Sequence, residues 1–127
     1  MTENEIGTIV VGAAINVHKE LGPGLLESVY ELVLTHELNL HDLRFKRQVA
    51  IPIYYRGIRF NEGFKADIIV EEKVILELKS VENLLPVHKK QLQTYLKLTG
   101  CKLGYLLNFN EMLLKDGIVR CVNKLEE

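Results

Sequence analysis

The stretch 64–80, FKADIIVEEKVILELKS, constrains the fold of this chain more than any other. It reads as two apolar strands joined by a charged turn at 71–73. Polar groups interrupt the apolar runs at Asp67 in the first strand and at Glu77 and Lys79 in the second. Side chains alternate faces along a strand, so Glu77 and Lys79 share one face while Leu76 and Leu78 take the other. In a hairpin, Asp67 reaches the same end of that same face. Two carboxylates and an ammonium then converge on a mostly apolar sheet. Charge buried without partners is strongly unfavourable, so the cluster implies a bound divalent cation or an internal ion pair.

The remaining elements follow from periodicity and punctuation. Residues 2–21 form a helix: Thr2 and Glu5 have the spacing of a capping box, and Ile6, Ile9, Val10, Ala13, Val17 and Leu21 make one apolar stripe. Gly22, Pro23 and Gly24 turn the chain into a second helix over 25–40. Its expected buried side is Leu26, Val29, Tyr30, Val33, Leu34 and Leu38, with Glu27 in the first turn. After a basic connection at 41–47, residues 48–55 read as a strand, in which Pro52 marks an edge or a bulge. Arg56 and Gly57 make a turn, and a strand from Ile58 continues, interrupted at 61–63, through 64–70. Residues 74–80 are the next strand, 87–99 a helix stopped by Gly100, 103–109 a strand buried on both faces, and 118–122 a last strand after a turn at Asp116 and Gly117. The order is that of an α/β layer protein with a mixed sheet.

With 127 residues the chain can build one domain with a real core and not two comfortable ones. A formal net charge of -1 removes any global basic signature, so a nucleic-acid partner has to be argued from a local patch. Arg44, Lys46, Arg47, Arg56, Arg59 and Lys65 supply such a patch, against only Asp42 and Glu62. It is either a solvated edge or a rim for phosphates. The interleaved Phe45, Tyr54, Tyr55 and Phe60 either pack in the core or stack on bases. Cys101 and Cys121 stand in apolar surroundings with no metal-ligand spacing, which reads as reduced thiols of a cytoplasmic protein. No leader and no membrane span are expected from the sequence.

Asp67, Glu77 and Lys79 spell D…ExK. The carboxylates are hard oxygen ligands suited to Mg²⁺ or Mn²⁺, and the carbonyl of Leu78 lies between Glu77 and Lys79. A divalent ion there would suit metal-assisted phosphodiester hydrolysis, with Lys79 orienting water or stabilising charge in the transition state. On the helix 87–99, His88, Gln91, Leu92, Tyr95 and Thr99 fall on one face, where a purely structural helix would carry Leu or Val. Gln91 and Tyr95 are therefore candidates for holding substrate. Glu27 is a candidate further ligand, although a carboxylate at about N3 is also what a helix N-terminus attracts without any metal. Glu77 and Lys79 also have a plain reading as a solvated ion pair, against which the apolar residues flanking them argue.

The segment GLLESVY at 24–30 resembles the G-x-x-E-x-x-Y motif that names the GxxExxY proteins. Asp67 with Glu77, Leu78 and Lys79 resembles the core of the PD-(D/E)xK nuclease superfamily, with Ala66 where the superfamily's name places Pro. Gln91 and Tyr95 resemble the Q-x-x-x-Y helix motif of its RecB-type and lambda-exonuclease-type branches. The resemblance covers roughly residues 6–122. It implies a restriction-endonuclease-like core, a mixed central sheet flanked by helices, and a Mg²⁺- or Mn²⁺-dependent nuclease acting on DNA more readily than RNA. In that reading Asp67, Glu77 and Glu27 hold the metal and act with Lys79 in catalysis, while Gln91 and Tyr95 bind substrate. The alternative reading is a non-catalytic module on the same fold that binds nucleic acid or protein. An exposed sheet edge near Pro52 or at 118–122 leaves room for a homodimer or another protein partner.

Overall fold

A computed structural model describes residues 1–126. The first helix, α1 (Glu3–Leu21), begins as its sequence dictates. The Thr2 hydroxyl accepts from the Glu5 N–H at 3.2 Å, and Glu5 Oε1 accepts from the Thr2 N–H at 2.9 Å. The stripe from Ile6 through Val10, Ala13 and Val17 is buried.

The second helix, α2 (Glu27–Leu40), starts two residues later than expected, with Leu26 as its N-cap. Leu26 therefore lies outside the buried stripe and is 73% exposed. Glu27 occupies the first helical position rather than N3. The buried side is Tyr30, Leu34 and Leu38, joined by two polar residues that hydrophobic periodicity could not select, Glu31 and Thr35.

The expected strand 48–55 is two strands. β1 (Phe45–Ala50) ends before Ile51 and Pro52, and β2 (Ile53–Tyr55) leaves the main sheet. Proline lacks the N–H that a continuous ladder needs. β2 pairs with β3 (Ile58–Phe60) as a separate two-stranded ribbon, turned at Arg56 and Gly57, which have φ of 50° and 78°. The chain returns to the main sheet as β4 (Lys65–Val70), reverses, and continues as β5 (Val74–Lys79). Glu71 and Glu72 hold φ of 51° and 57° in that reversal.

Helix α3 (Pro86–Thr99) crosses over to β6 (Leu103–Asn108), which is parallel to β5. A parallel pair needs such a crossover. Gly100 ends α3 in the left-handed conformation. The turn signal at Asp116 and Gly117 is a short 3-10 turn, Leu114–Gly117, leading into β7 (Ile118–Val122). The five-stranded mixed sheet has the order β1-β4-β5-β6-β7. β5 lies at its centre and β1 and β7 at its edges.

Two apolar layers enclose this sheet. Val74, Leu76 and Leu78 of β5 face α1 and α2 together with Leu103, Tyr105 and Leu107 of β6. Ile75 and Leu106 face α3, against Leu92, Tyr95 and Leu96. A Cβ at Gly104 would lie 3.0 Å from Leu92 Cδ1 and 3.2 Å from Leu96 Cδ2, so the missing side chain lets α3 settle onto β6. By alternation Glu77 and Lys79 share the side of Ile75 and face α3.

Candidate functional site

β4 and β5 are paired from Val70 and Val74 as far as Ile68 and Leu76. At the next pair, Asp67 and Glu77, side chains replace the ladder. Glu77 Oε2 accepts from the Asp67 N–H at 2.7 Å, and Asp67 Oδ2 accepts from the Leu78 N–H at 2.8 Å. Each carboxylate thus stitches the opposite strand. The alternation of β4 breaks here as well: Ile68 and Val70 belong to the layer under α1 and α2, whereas Ala66 belongs to the layer under α3. The break turns Asp67 into the seam between the strands. Asp67 does not stand beside Glu77 and Lys79 on one face, as simple alternation predicted.

The seam is dry enough to alter both acids. Burial pushes the Glu77 carboxyl up to about 8, and the neighbouring charge of Asp67 pushes in the same direction. Asp67 is also raised, chiefly by burial and then by Glu31, against the opposing pull of the Leu78 N–H. Lys79 is half-buried, and its positive charge lowers both carboxyls without forming one of the ion pairs among the described residues. Its carbonyl accepts from the Phe109 N–H at 2.9 Å, which fixes the end of β5 against β6. Buried Asn108 holds the chain just beyond: it accepts from the Val81 N–H at 3.1 Å and donates to the Val81 carbonyl at 2.9 Å.

The 24–30 segment docks on this same end of β5. The Ser80 hydroxyl donates to the Leu25 carbonyl at 2.7 Å, and the Ser80 N–H donates to Glu27 Oε2 at 3.3 Å. The Glu27 carboxylate therefore faces the strand carrying Glu77 and does not cap its own helix. Tyr30 is what shapes the segment. Its hydroxyl accepts from the Leu25 N–H at 3.1 Å and donates to the Gly22 carbonyl at 2.5 Å, and its ring stacks on Phe109 at 4.5 Å. In G-x-x-E-x-x-Y the tyrosine thus folds the turn that presents the glutamate.

A cavity of about 290 Å³ opens between α2 and the strands, lined by Glu27, Ser28, Glu31, Gln48, Asp67 and Leu78. Glu31 was not legible as a site residue. It is buried, its Oε2 accepts from Arg47 Nη2 at 2.7 Å and Nε at 3.0 Å, and its Oε1 accepts from Gln48 Nε2 at 2.8 Å. Gln48 also reaches Asp67 Oδ1 at 3.4 Å and holds φ of 50° within β1. A charged residue on the inner face of α2 was the available signal, but hydrophobic periodicity passes over it. His18 is buried as well, but its Nε2 lies 2.7 Å from the Glu111 carbonyl, away from this site.

On α3 the structure separates the residues grouped by spacing. Tyr95 is buried, its ring meets Phe64 edge-on at 5.5 Å, and burial followed by the charges of Glu77 and Asp67 pushes its hydroxyl up to about 12. Gln91 is half-buried one turn before it. His88 closes the start of the helix, accepting from the Leu85 N–H at 3.0 Å through Nδ1, and Thr99 bonds back to the Tyr95 carbonyl at 2.8 Å. The residues of α3 packed into the core are Leu92, Tyr95 and Leu96.

A family profile described as the PD-(D/E)XK nuclease superfamily matches residues 4–121. The chain belongs to that superfamily. No curated protein and no solved structure matches it. Membership implies nuclease-type chemistry, interaction with nucleic acid and a divalent metal. Among the described residues no group of three His, Cys, Asp or Glu side chains forms a ready metal cluster, and no helix is long and apolar enough to cross a membrane. The donor set nevertheless fits a hard divalent ion. Mg²⁺ is commonly held by one or two carboxylates, with water and substrate phosphate completing its shell. Asp67 and Glu77 supply two carboxylates in a dry seam, each fixed through one oxygen.

Proposed function

We propose that this chain is a divalent-metal-dependent nuclease, with DNA favoured over RNA as substrate, and that it belongs to the GxxExxY group within its superfamily. The observation that carries the reading is the crossed pair of hydrogen bonds in which Glu77 accepts from the Asp67 N–H and Asp67 accepts from the Leu78 N–H. Two acids are driven together, raised by burial and held rigid at the point where two central strands part. Such a site gains from a cation that neutralises it, and acids perturbed in this way cluster at functional sites.

In this reading Asp67 and Glu77 hold Mg²⁺ or Mn²⁺, with Glu27 turned toward them from the start of α2. The ion would supply an acidified water and offset charge on the phosphate. Lys79, at the end of the same strand as Glu77, would orient the attacking water or stabilise the charge that develops on the phosphoryl oxygens. Tyr95 bounds the site on the α3 side, and Gln91, one turn away, can hold the substrate backbone. The cavity between α2 and Asp67 gives water a route to the seam.

The test is cleavage of single- and double-stranded DNA and RNA by wild type, Glu77→Ala and Lys79→Ala, each with Mg²⁺, Mn²⁺ or EDTA. Cleavage that needs the ion and disappears in both variants is the expected result. Cleavage by folded Glu77→Ala at the wild-type rate would overturn the assignment. Salt-dependent binding that ignores both metal and Glu77, with no turnover, would replace the nuclease with a binding module on the same fold.

A further inference from the structure

The β2–β3 ribbon has no part in the site just described, and its exposed side chains are large and apolar. Tyr54 is 64% exposed, Tyr55 59%, Ile58 60% and Phe60 47%. Phe45 packs against the core, whereas Tyr54, Tyr55 and Phe60 are exposed. Opposed residues of an antiparallel pair share a face. The register Ile53 to Phe60 and Tyr55 to Ile58 therefore puts Tyr55 and Phe60 on one face, and Tyr54 with Arg59 on the other.

The charge around the ribbon selects among occupants. Half of the basic cluster is already satisfied: Arg44 pairs with Glu71 at 3.1 Å, Lys46 with Glu72 at 3.4 Å and Arg47 with Glu31 at 2.7 Å. Arg56, Arg59 and Lys65, on and beside the ribbon, have no carboxylate partner among the described ion pairs. Arg56 instead lies over the Tyr55 ring, 5.5 Å from its centroid. Aromatic platforms flanked by cations match a nucleic-acid strand, whose bases stack while its phosphates meet the bases of the protein. The ribbon is also rooted at the site. The Ile51 N–H donates to the Phe64 carbonyl at 3.0 Å to close its base, Phe64 packs on Tyr95, and Asp67 follows three residues later.

We infer that the β2–β3 ribbon is a single-strand grip, in which Tyr55 and Phe60 stack on unpaired bases while Arg56 and Lys65 meet the phosphates of the same strand. The ribbon would hold single-stranded DNA or RNA next to Asp67 and Glu77. Its relevance to catalysis rests on the nuclease reading, but the binding itself does not.

The experiment measures binding of labelled dT and rU oligonucleotides, and of a blunt DNA duplex, in EDTA so that no cleavage intervenes. Wild type is compared with Tyr55→Ala/Phe60→Ala and with Tyr55→Trp. Both side chains are exposed, so the double variant should melt as wild type does. It should bind the single strands at least about tenfold more weakly, with a smaller loss on the duplex. The chain has no tryptophan, so the single indole of Tyr55→Trp reports stacking directly, as quenching when dT is added. Equal binding by the double variant, or an unquenched indole, overturns the grip even if the protein cleaves DNA. A wild-type dimer that the double variant splits, with oligonucleotide binding unchanged, assigns this face to a second copy and also overturns it. A parallel cleavage assay with Mn²⁺ and Lys79→Ala shows separately whether the nuclease reading stands.

Discussion

The two ends of the β4–β5 hairpin carry the same kind of residue and treat it in opposite ways. At the closed end Glu71 and Glu72 sit in the turn, paired with the well-solvated Arg44 and Lys46. At the open end Asp67 and Glu77 sit in a dry seam, bonded to each other's strands and pushed toward their neutral forms. About one strand length separates them. The chemistry of a carboxylate here is set by what the sheet does around it: where the ladder is intact the acid pairs with a cation beside the turn, and where the ladder opens the acid replaces backbone groups.

The largest effect that can break this contrast is on cleavage. Under the nuclease reading Glu77→Ala should reduce cleavage to the level seen in EDTA, and Glu71→Ala should leave it within about twofold, since Glu71 lies at the other end of the hairpin from the seam. A Glu71 variant as dead as the Glu77 variant would mean that the turn, not the seam, carries the activity.

Next in size is the dependence of stability on pH. Glu77 is raised in the folded state from an ordinary value of 4.5 to about 8. The native state thus binds its proton more tightly than the unfolded chain does. That stabilisation is fully present below about pH 4.5 and is lost as the pH climbs to about 8, when the buried carboxyl must ionise. Asp67 acts in the same direction. Metal-free protein should therefore lose a few kcal/mol between about pH 5 and 8 in urea titrations. Glu77→Gln should flatten the slope, and added Mg²⁺ should reduce it by favouring the charged acids. A slope unchanged in Glu77→Gln would show that the seam does not hold the proton.

The hairpin itself was legible because its apolar alternation and charged turn are local properties, and the same holds for α1, whose capping box involves residues three apart. The D…ExK residues were legible for a related reason: charge stands out in an apolar strand. What was hidden depends on partners distant in sequence. Glu31 looked like any helix acid until Arg47 and Gln48 met it from β1. The twist of Asp67 into the seam needs β1, β4 and β5 together. The ribbon is hidden because Pro52 in the sequence marks an edge or a bulge of one strand over 48–55, whereas the chain leaves the sheet there altogether.

Arg47 extends the comparison to stability. Its removal leaves buried Glu31 with only the Gln48 amide, so Arg47→Ala should cost about 2 kcal/mol, less than for a fully buried pair because Arg47 is partly solvated. Its chemical-denaturation midpoint checks this, and a midpoint equal to that of wild type would place Glu31 in a more polar setting than the structure gives it.

The smallest effect is the most discriminating. Arg44 and Glu71 are 3.1 Å apart, close to the 2.7 Å of Arg47 and Glu31, so distance alone gives the two pairs similar energies. Solvation separates them: the Arg44 side chain is 91% exposed against 38% for Arg47, and Glu71 19% against 8% for Glu31. A double-mutant cycle on Arg44 and Glu71 should give a coupling of about 0.5 kcal/mol or less, shrinking further in high salt. The cycle on Arg47 and Glu31 should give a larger coupling that salt barely moves. If both couplings were equal and equally screened, burial would not be what distinguishes the two ends of the hairpin. The raised acids of the seam would then lose the physical cause assigned to them here.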